Sequence, residues 1–373
     1  MRFRILKTDS RSKARYGEIE TSHGIVKTPV FMPVGTQATV KALTPAQLLD
    51  MGTEAIICNA YHLSLRPGEQ VVKAHGGLHR FMGWDRTIVT DSGGFQVFSL
   101  KNVARVSEEG VEFASPFAGE RVFFSPERVI DIQRALGSDI MMPFDHCVPY
   151  PCEWDGAKEA MLRTERWTRR CVDALSEENP GGQALFGIVQ GSVFKDLRLE
   201  SVKRTVEMEL DGYAVGGLSV GEGKHLMKEV LDYTIECLPW DKPRYLMGVG
   251  RPEDIVDAVA KGVDMFDCVL PTRNGRNGTA FVRGGKIRLF NSAYREDQRP
   301  LDGDCDCYTC RTFSRAYLRH LFFAGEILAM TLVSLHNVHF FQELMSDARG
   351  AILSGTFGRF KDRLLEAEDK GGQ

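Results

Sequence analysis

No stretch of the 373-residue sequence approaches the roughly 18 consecutive apolar residues that a membrane-spanning helix needs. The opening segment, MRFRILKTDSRSKARYGEIE, is basic but holds no apolar core of the kind that directs export. Both absences point to a cytoplasmic protein without a membrane partner. A disulfide framework is missing too, because the nine cysteines are an odd number in a chain without an export signal. No G-x-G-x-x-G follows the first apolar strand, which weighs against the dinucleotide-binding form of an open α/β sheet. The formal net charge is only −3, which gives no reason by itself to expect nucleic acid.

The charge that is present is unevenly placed. Thr272 to His320 carries ten Lys/Arg against five Asp/Glu, so a basic region sits on an acidic body. That is a modest sign of a polyanionic partner. The length allows one large core, and the sequence shows how it is built. TPAQLLDMGTEAIICNA, SPERVIDIQRALGSDIMMPFD and RPEDIVDAVAKGVDMFDC share one plan. Each places a Pro at a first helical turn, then a Gly suited to a left-handed helix end, then an apolar strand.

Eight such strands are expected, around 30–34, 55–59, 87–91, 140–145, 185–190, 213–217, 244–248 and 265–270. Short strands that are apolar on both faces and alternate with helices describe an α/β protein with a parallel sheet. Eight of them fit a (β/α)8 barrel, with a doubly wound open sheet as the competing fold. Barrel chemistry collects at the C-terminal strand ends. Those ends here are Asn59, Asp91, Asp145, Gln190, Gly216–Gly217, Gly248 and Asp267. Two carboxylates on opposite strands suit glycosidic chemistry, one as nucleophile and one moving protons. Asp145, Gln190 and the Gly216–Leu218 backbone could read the edge of a flipped base. Within GVDMFDCVLPTRNGRNG, Pro271 reads as the end of the last strand, with Arg273 and Arg276 on the loop beyond it. Finally, CDCYTC supplies Cys305, Cys307 and Cys310 as metal ligands. A closed tetrahedral site needs a fourth. His320, His336 and His339 are candidates, and His336 is favoured.

Together these motifs closely resemble one family, the tRNA-guanine transglycosylases, and within it the bacterial type. DSGGFQVFSL, FDHCVPYP, GIVQGS, YAVGGLSVGE, FDCVLPTRNGRNG and CDCYTC…SLHN occur in order across nearly the whole chain. The resemblance implies a TIM barrel with N-terminal strands (1–290), a zinc-binding insert (291–345) and a C-terminal helix that completes the barrel (346–373). It implies that the wobble guanine of tRNA with a U-G-U anticodon loop is exchanged for 7-aminomethyl-7-deazaguanine, in queuosine biosynthesis. Asp267 would be the nucleophile and Asp91 the general acid/base. Asp145, Gln190, Gly217 and Leu218 would bind the base, with Phe95 and Met247 on its two faces. Cys147 and Val220 would select the free deazaguanine base. Arg273 and Arg276 would contact the tRNA, and Cys305, Cys307, Cys310 and His336 would hold one structural Zn2+. A homodimer is implied as well. His146 stands where the family usually has Glu, and Phe95 where many members have Tyr. Two other readings remain: a non-catalytic tRNA-binding partner subunit, and a barrel glycosidase or nucleosidase. Asp91, Asp145 and Asp267 together argue against the first. The basic, metal-stapled region argues against the second.

Overall fold

The computed structural model describes residues 1–99, 105–117, 119–177, 179 and 182–371. Its centre is an eight-stranded parallel sheet. The strands are Val30–Pro33, Ala55–Asn59, Thr87–Asp91, Ile140–Met141, Ala184–Val189, Gly212–Val215, Arg244–Leu246 and Met265–Cys268. They are called here the first to the eighth. The first pairs with the eighth, Met265 opposite Val30. A bridge between Val34 and Ile57 closes the ring on its other side, and Gly35 N–H donates to Ile57 O at 2.7 Å. The expected barrel is therefore present, and the open sheet is not.

Local sequence explains the repeated units. Thr44 and Ser125 cap the helices Pro45–Asp50 and Pro126–Leu136, their hydroxyls accepting from Gln47 N and Arg128 N. Gly52, Gly137 and Gly262 all have φ between 71° and 93° where their helices end, the left-handed backbone that glycine adopts at least cost. Alternation along the strands then separates two cores. Val30, Met32, Ala55, Ile57, Val89, Phe186, Ile188, Ala214, Tyr245 and Met265 fill the barrel interior. Phe31, Ile56, Cys58, Ile88, Met141 and Phe266 face the helices.

Two expected boundaries are corrected. The fourth strand pairs only over Ile140–Met141, and Asp145 follows on unpaired chain. The eighth ends at Cys268, and Leu270–Arg276 is a helix instead of a loop, with Pro271 in its first turn. Proline fits there because its fixed φ suits a helix start and its missing N–H would have had no partner. The helix Arg315–Ala324 is capped by the Ser314 hydroxyl. The long helix Ile327–Leu353 runs unbroken through position 345/346 and ties the regions together. Gln342 Nε2 donates to Phe31 O of the first strand at 3.1 Å. Asn337 Nδ2 donates to Pro271 O and Thr279 O, both at 2.9 Å.

Candidate active site at the barrel mouth

The period of two that fills the barrel interior also aims the site. Asp91 continues the inward row of Val89, Asp267 that of Met265, Gln190 that of Phe186 and Ile188, and Met247 that of Tyr245. Asp91, Phe95, Asp145, Cys147, Gln190, Gly217, Leu218, Val220, Met247 and Asp267 all line one cavity of about 250 Å³. That lies just below the usual range for ligand pockets, a volume that suits a single heterocycle. Phe95 is 57 % exposed at the rim.

Each carboxylate has its own partners. Asn59 lies directly across the sheet from Asp91, and its Nδ2 donates to Asp91 Oδ2 at 2.8 Å. Gly93 N–H donates to the other oxygen at 3.2 Å. Asn59 also caps the next helix, its Oδ1 accepting from His62 N at 2.9 Å, so it serves structure and site together. Burial pushes Asp91 up to about 7; the Asn59 donor opposes this, and the Asp267 charge adds to it. Asp145 accepts from Gln190 Nε2 at 2.7 Å and from Ser92 Oγ at 3.4 Å. Burial lifts it to about 6, against those two donors. Asp267 Oδ1 accepts from Tyr245 OH at 2.5 Å and from Gly248 N–H at 2.9 Å. Burial raises this carboxyl too, and both donors favour its ionised form.

Sequence reasoning passed over Tyr245, Ser92, Glu222 and Arg198. Tyr245 is fully buried on the seventh strand, where a tyrosine looks like packing. Its position two residues before Met247 on one inward row was the available signal. Glu222 accepts from Ser219 N and Val220 N, which shapes the loop that carries Val220. His146 is held beside Arg163, its Nδ1 3.1 Å from Nη1. Burial and that guanidinium depress it to about 4, so it is neutral at physiological pH. Burial pushes the Cys147 thiol up to about 12, leaving an uncharged wall group.

Arg273 and Arg276 stand outside the cavity on the helix Leu270–Arg276. Arg273 is exposed. Arg276 Nη1 is buried without a hydrogen-bond partner.

The four ligand candidates of the cysteine motif converge. The Sγ atoms of Cys305, Cys307 and Cys310 lie 3.7, 3.5 and 3.3 Å from His336 Nδ1. All four ligand atoms fall within 4.8 Å of one another. Tetrahedral Zn–S and Zn–N bonds imply an S···N edge of about 3.6 Å, so this cage fits a tetrahedral ion of that size. His336 Nε2 donates to Phe281 O at 2.6 Å, which leaves the Nδ1 lone pair turned toward the sulfurs. The cluster can thus hold a metal ion. His339 instead lies with its Nε2 3.0 Å from Asp306 Oδ1.

The chain is thus a parallel (β/α)8 barrel with three carboxylates at its mouth and a Cys3His cluster near its C-terminus. Comparison with known proteins goes further. The family model described as queuine tRNA-ribosyltransferase matches residues 9–370. A queuine tRNA-ribosyltransferase of Caldanaerobacter subterraneus subsp. tengcongensis is 55% identical over 98% of this chain and 97% of its own. That of Thermoanaerobacter pseudethanolicus is 56% identical over 98% and 95%, and that of Symbiobacterium thermophilum 52% identical over 98% and 91%. The chain belongs to the queuine tRNA-ribosyltransferase family.

Proposed function

We propose that the protein replaces the wobble guanine of U-G-U anticodon tRNAs with 7-aminomethyl-7-deazaguanine through a covalent Asp267–ribose ester. The observation that carries this reading is the pairing of Asp267 with Tyr245 and Gly248. Two donors hold Oδ1, while Oδ2 carries no hydrogen bond among the described residues and is available to a substrate.

Asp267 Oδ2 bonds to C1′ of the ribose as the C1′–N9 bond breaks. The N9 electron pair takes the proton held by Asp91, and guanine departs neutral. The incoming base returns a proton to Asp91 as its ring nitrogen bonds to C1′ and the ester opens, so Asp267 and Asp91 end as they began. A carboxyl near 7 is half protonated at physiological pH and serves in both directions. Asp145 and Gln190 engage the polar edge of the base, and Phe95 and Met247 close over its faces. Cys147 and Val220 bound the end where the aminomethyl group lies. Arg273 and Arg276, which have no acidic partners among the described residues, pair with phosphates or uridines beside the target.

Zn2+ suits the Cys3His cage. It would stabilise the 305–310 segment against the long helix, and four protein ligands leave no position for substrate. Tyr308, Phe313 and Tyr317 form an aromatic ladder on this region, with Tyr308 51 % and Tyr317 39 % exposed. That face supports a homodimer. No helix among the described residues is long and apolar enough to cross a membrane, and the proposed tRNA substrate fits a cytoplasmic enzyme.

The test is exchange of labelled guanine into unmodified U-G-U tRNA. Incorporation should be suppressed by 7-aminomethyl-7-deazaguanine and absent with Asp267→Asn. Incorporation that survives in Asp267→Asn moves the nucleophile elsewhere.

A further inference from the structure

Arg198 is a buried cation close behind the mouth. It is fully buried on the helix Lys195–Val206, which follows the fifth strand. Among the described residues, none of its hydrogen bonds goes to a carboxylate. Nε donates to Ser192 O at 2.7 Å, Nη1 to Val189 O at 3.0 Å and Gly216 O at 2.8 Å, and Nη2 to Gly217 O at 3.3 Å. Burial pushes the guanidinium down to about 10, which still leaves it charged at neutral pH. The Glu222 charge favours the guanidinium without bonding to it; a buried cation bonded only to neutral carbonyls is still expensive, so a structure that keeps one must gain from it.

The four carbonyls belong to two adjacent strand ends. Val189 and Ser192 flank Gln190, and Gly216 and Gly217 precede Leu218. A trans peptide carries its C=O and N–H on opposite edges. With the Gly216 and Gly217 carbonyls turned into the guanidinium, the N–H groups of Gly217 and Leu218 point away from it. Both residues line the cavity, and neither N–H meets an acceptor among the described residues. The turn is tightly specified: Gly217 has φ +65°, and a Cβ there would lie 2.5 Å from Gln190 Oε1.

We propose that Arg198 is a positioning residue that sets the hydrogen-bonding polarity of the base pocket. By capturing these carbonyls it makes the Gly217–Leu218 backbone present donors, so the pocket accepts a heterocycle with a carbonyl oxygen at that edge and rejects an amino group there. Without the guanidinium, either peptide can turn and offer its carbonyl instead. The inference rests on the base-exchange reading of the mouth.

The experiment measures dissociation constants for guanine and 2,6-diaminopurine, which replaces the 6-oxygen with an amino group. Wild type, Arg198→Met and Arg198→Lys are compared, with thermal melts and metal content as checks of folding. Wild type should prefer guanine. Arg198→Met should shrink that preference by about tenfold or more, the scale of one hydrogen bond exchanged for a repulsion. Arg198→Lys keeps the charge but cannot span four carbonyls, so it should fall between; it carries the comparison alone if the Met variant does not fold. A preference unchanged in the folded variants, or both bases weakened equally, overturns the proposal. A wild-type protein that binds neither base defeats the base-exchange reading itself.

Discussion

Two donors on one oxygen decide how Asp267 behaves. Tyr245→Phe removes one of them and leaves burial less opposed, so the carboxyl should titrate higher. A hydrogen bond to a charged group is worth about 1.5–3 kcal/mol, so the rate of base exchange should fall by about 10- to 100-fold. The acid limb of the pH–rate profile should also move to higher pH. An unchanged acid limb would show that Tyr245 does not control ionisation of the nucleophile. Asp91 makes the complementary prediction about stability. Its folded-state value near 7 lies above the unfolded value near 3.8. Between the two, the folded chain holds a proton that the unfolded chain has lost, so stability falls as pH rises through that window. Asp91→Asn removes this titration. Its melting temperature relative to wild type should therefore climb from pH 5.5 to pH 8, and a constant difference would contradict the buried-acid picture. Asp91 and Asp267 were legible in the sequence because each ends an apolar strand, where an uncompensated acid demands a use. Tyr245 and Arg198 were not. A tyrosine in a core strand looks like packing, and an arginine on a surface-type helix looks solvated until the tertiary structure buries it.

Elements show the same division. The eight strands and their caps could be read because turn chemistry and strand patterning agree in each unit. The helix Leu270–Arg276 could not, because its Gly- and Asn-rich composition resembles a loop and its stability comes from packing. Gly275 lies against the long helix so closely that a Cβ would come within 2.7 Å of the Ser334 backbone. Gly275→Ala should therefore push the short helix off its seat. Overpacking of this kind costs about 1–3 kcal/mol. The displacement would carry Arg273 and Arg276 with it. Filter-binding or anisotropy measurements should find weaker tRNA binding, while guanine affinity stays near wild type. Loss of both together would place the effect in the barrel instead.

Across the whole molecule, the basic region, the metal cage and the mouth share one support, the helix Ile327–Leu353. It supplies His336 to the cage, Asn337 to the segment around Pro271 and Gln342 to the first barrel strand. Metal binding in such cages is folding free energy. Chelation, or Cys307→Ser, should lower the melting temperature and weaken tRNA binding before it weakens base binding. Identical loss of both would mean that the cage supports the barrel as a whole. Sequence could place the cysteines beside one another but could not show that a single helix links them to the mouth, because that link is made by contacts between residues far apart in the chain.

The ring of strands is joined with unequal strength around its circumference. Four residue pairs bind the first strand to the eighth, whereas a single bridge at Val34 and Ile57 joins it to the second. Local opening favours the place with the fewest cross-links. The Gly35 amide, whose proton is held by Ile57 O, should accordingly exchange with deuterated solvent ahead of the amides within the strands. Ile57 also forms part of the cavity wall. An occupied mouth would brace that seam, so the isotope clock at Gly35 would slow when a base is bound and would report occupancy without any label on the ligand.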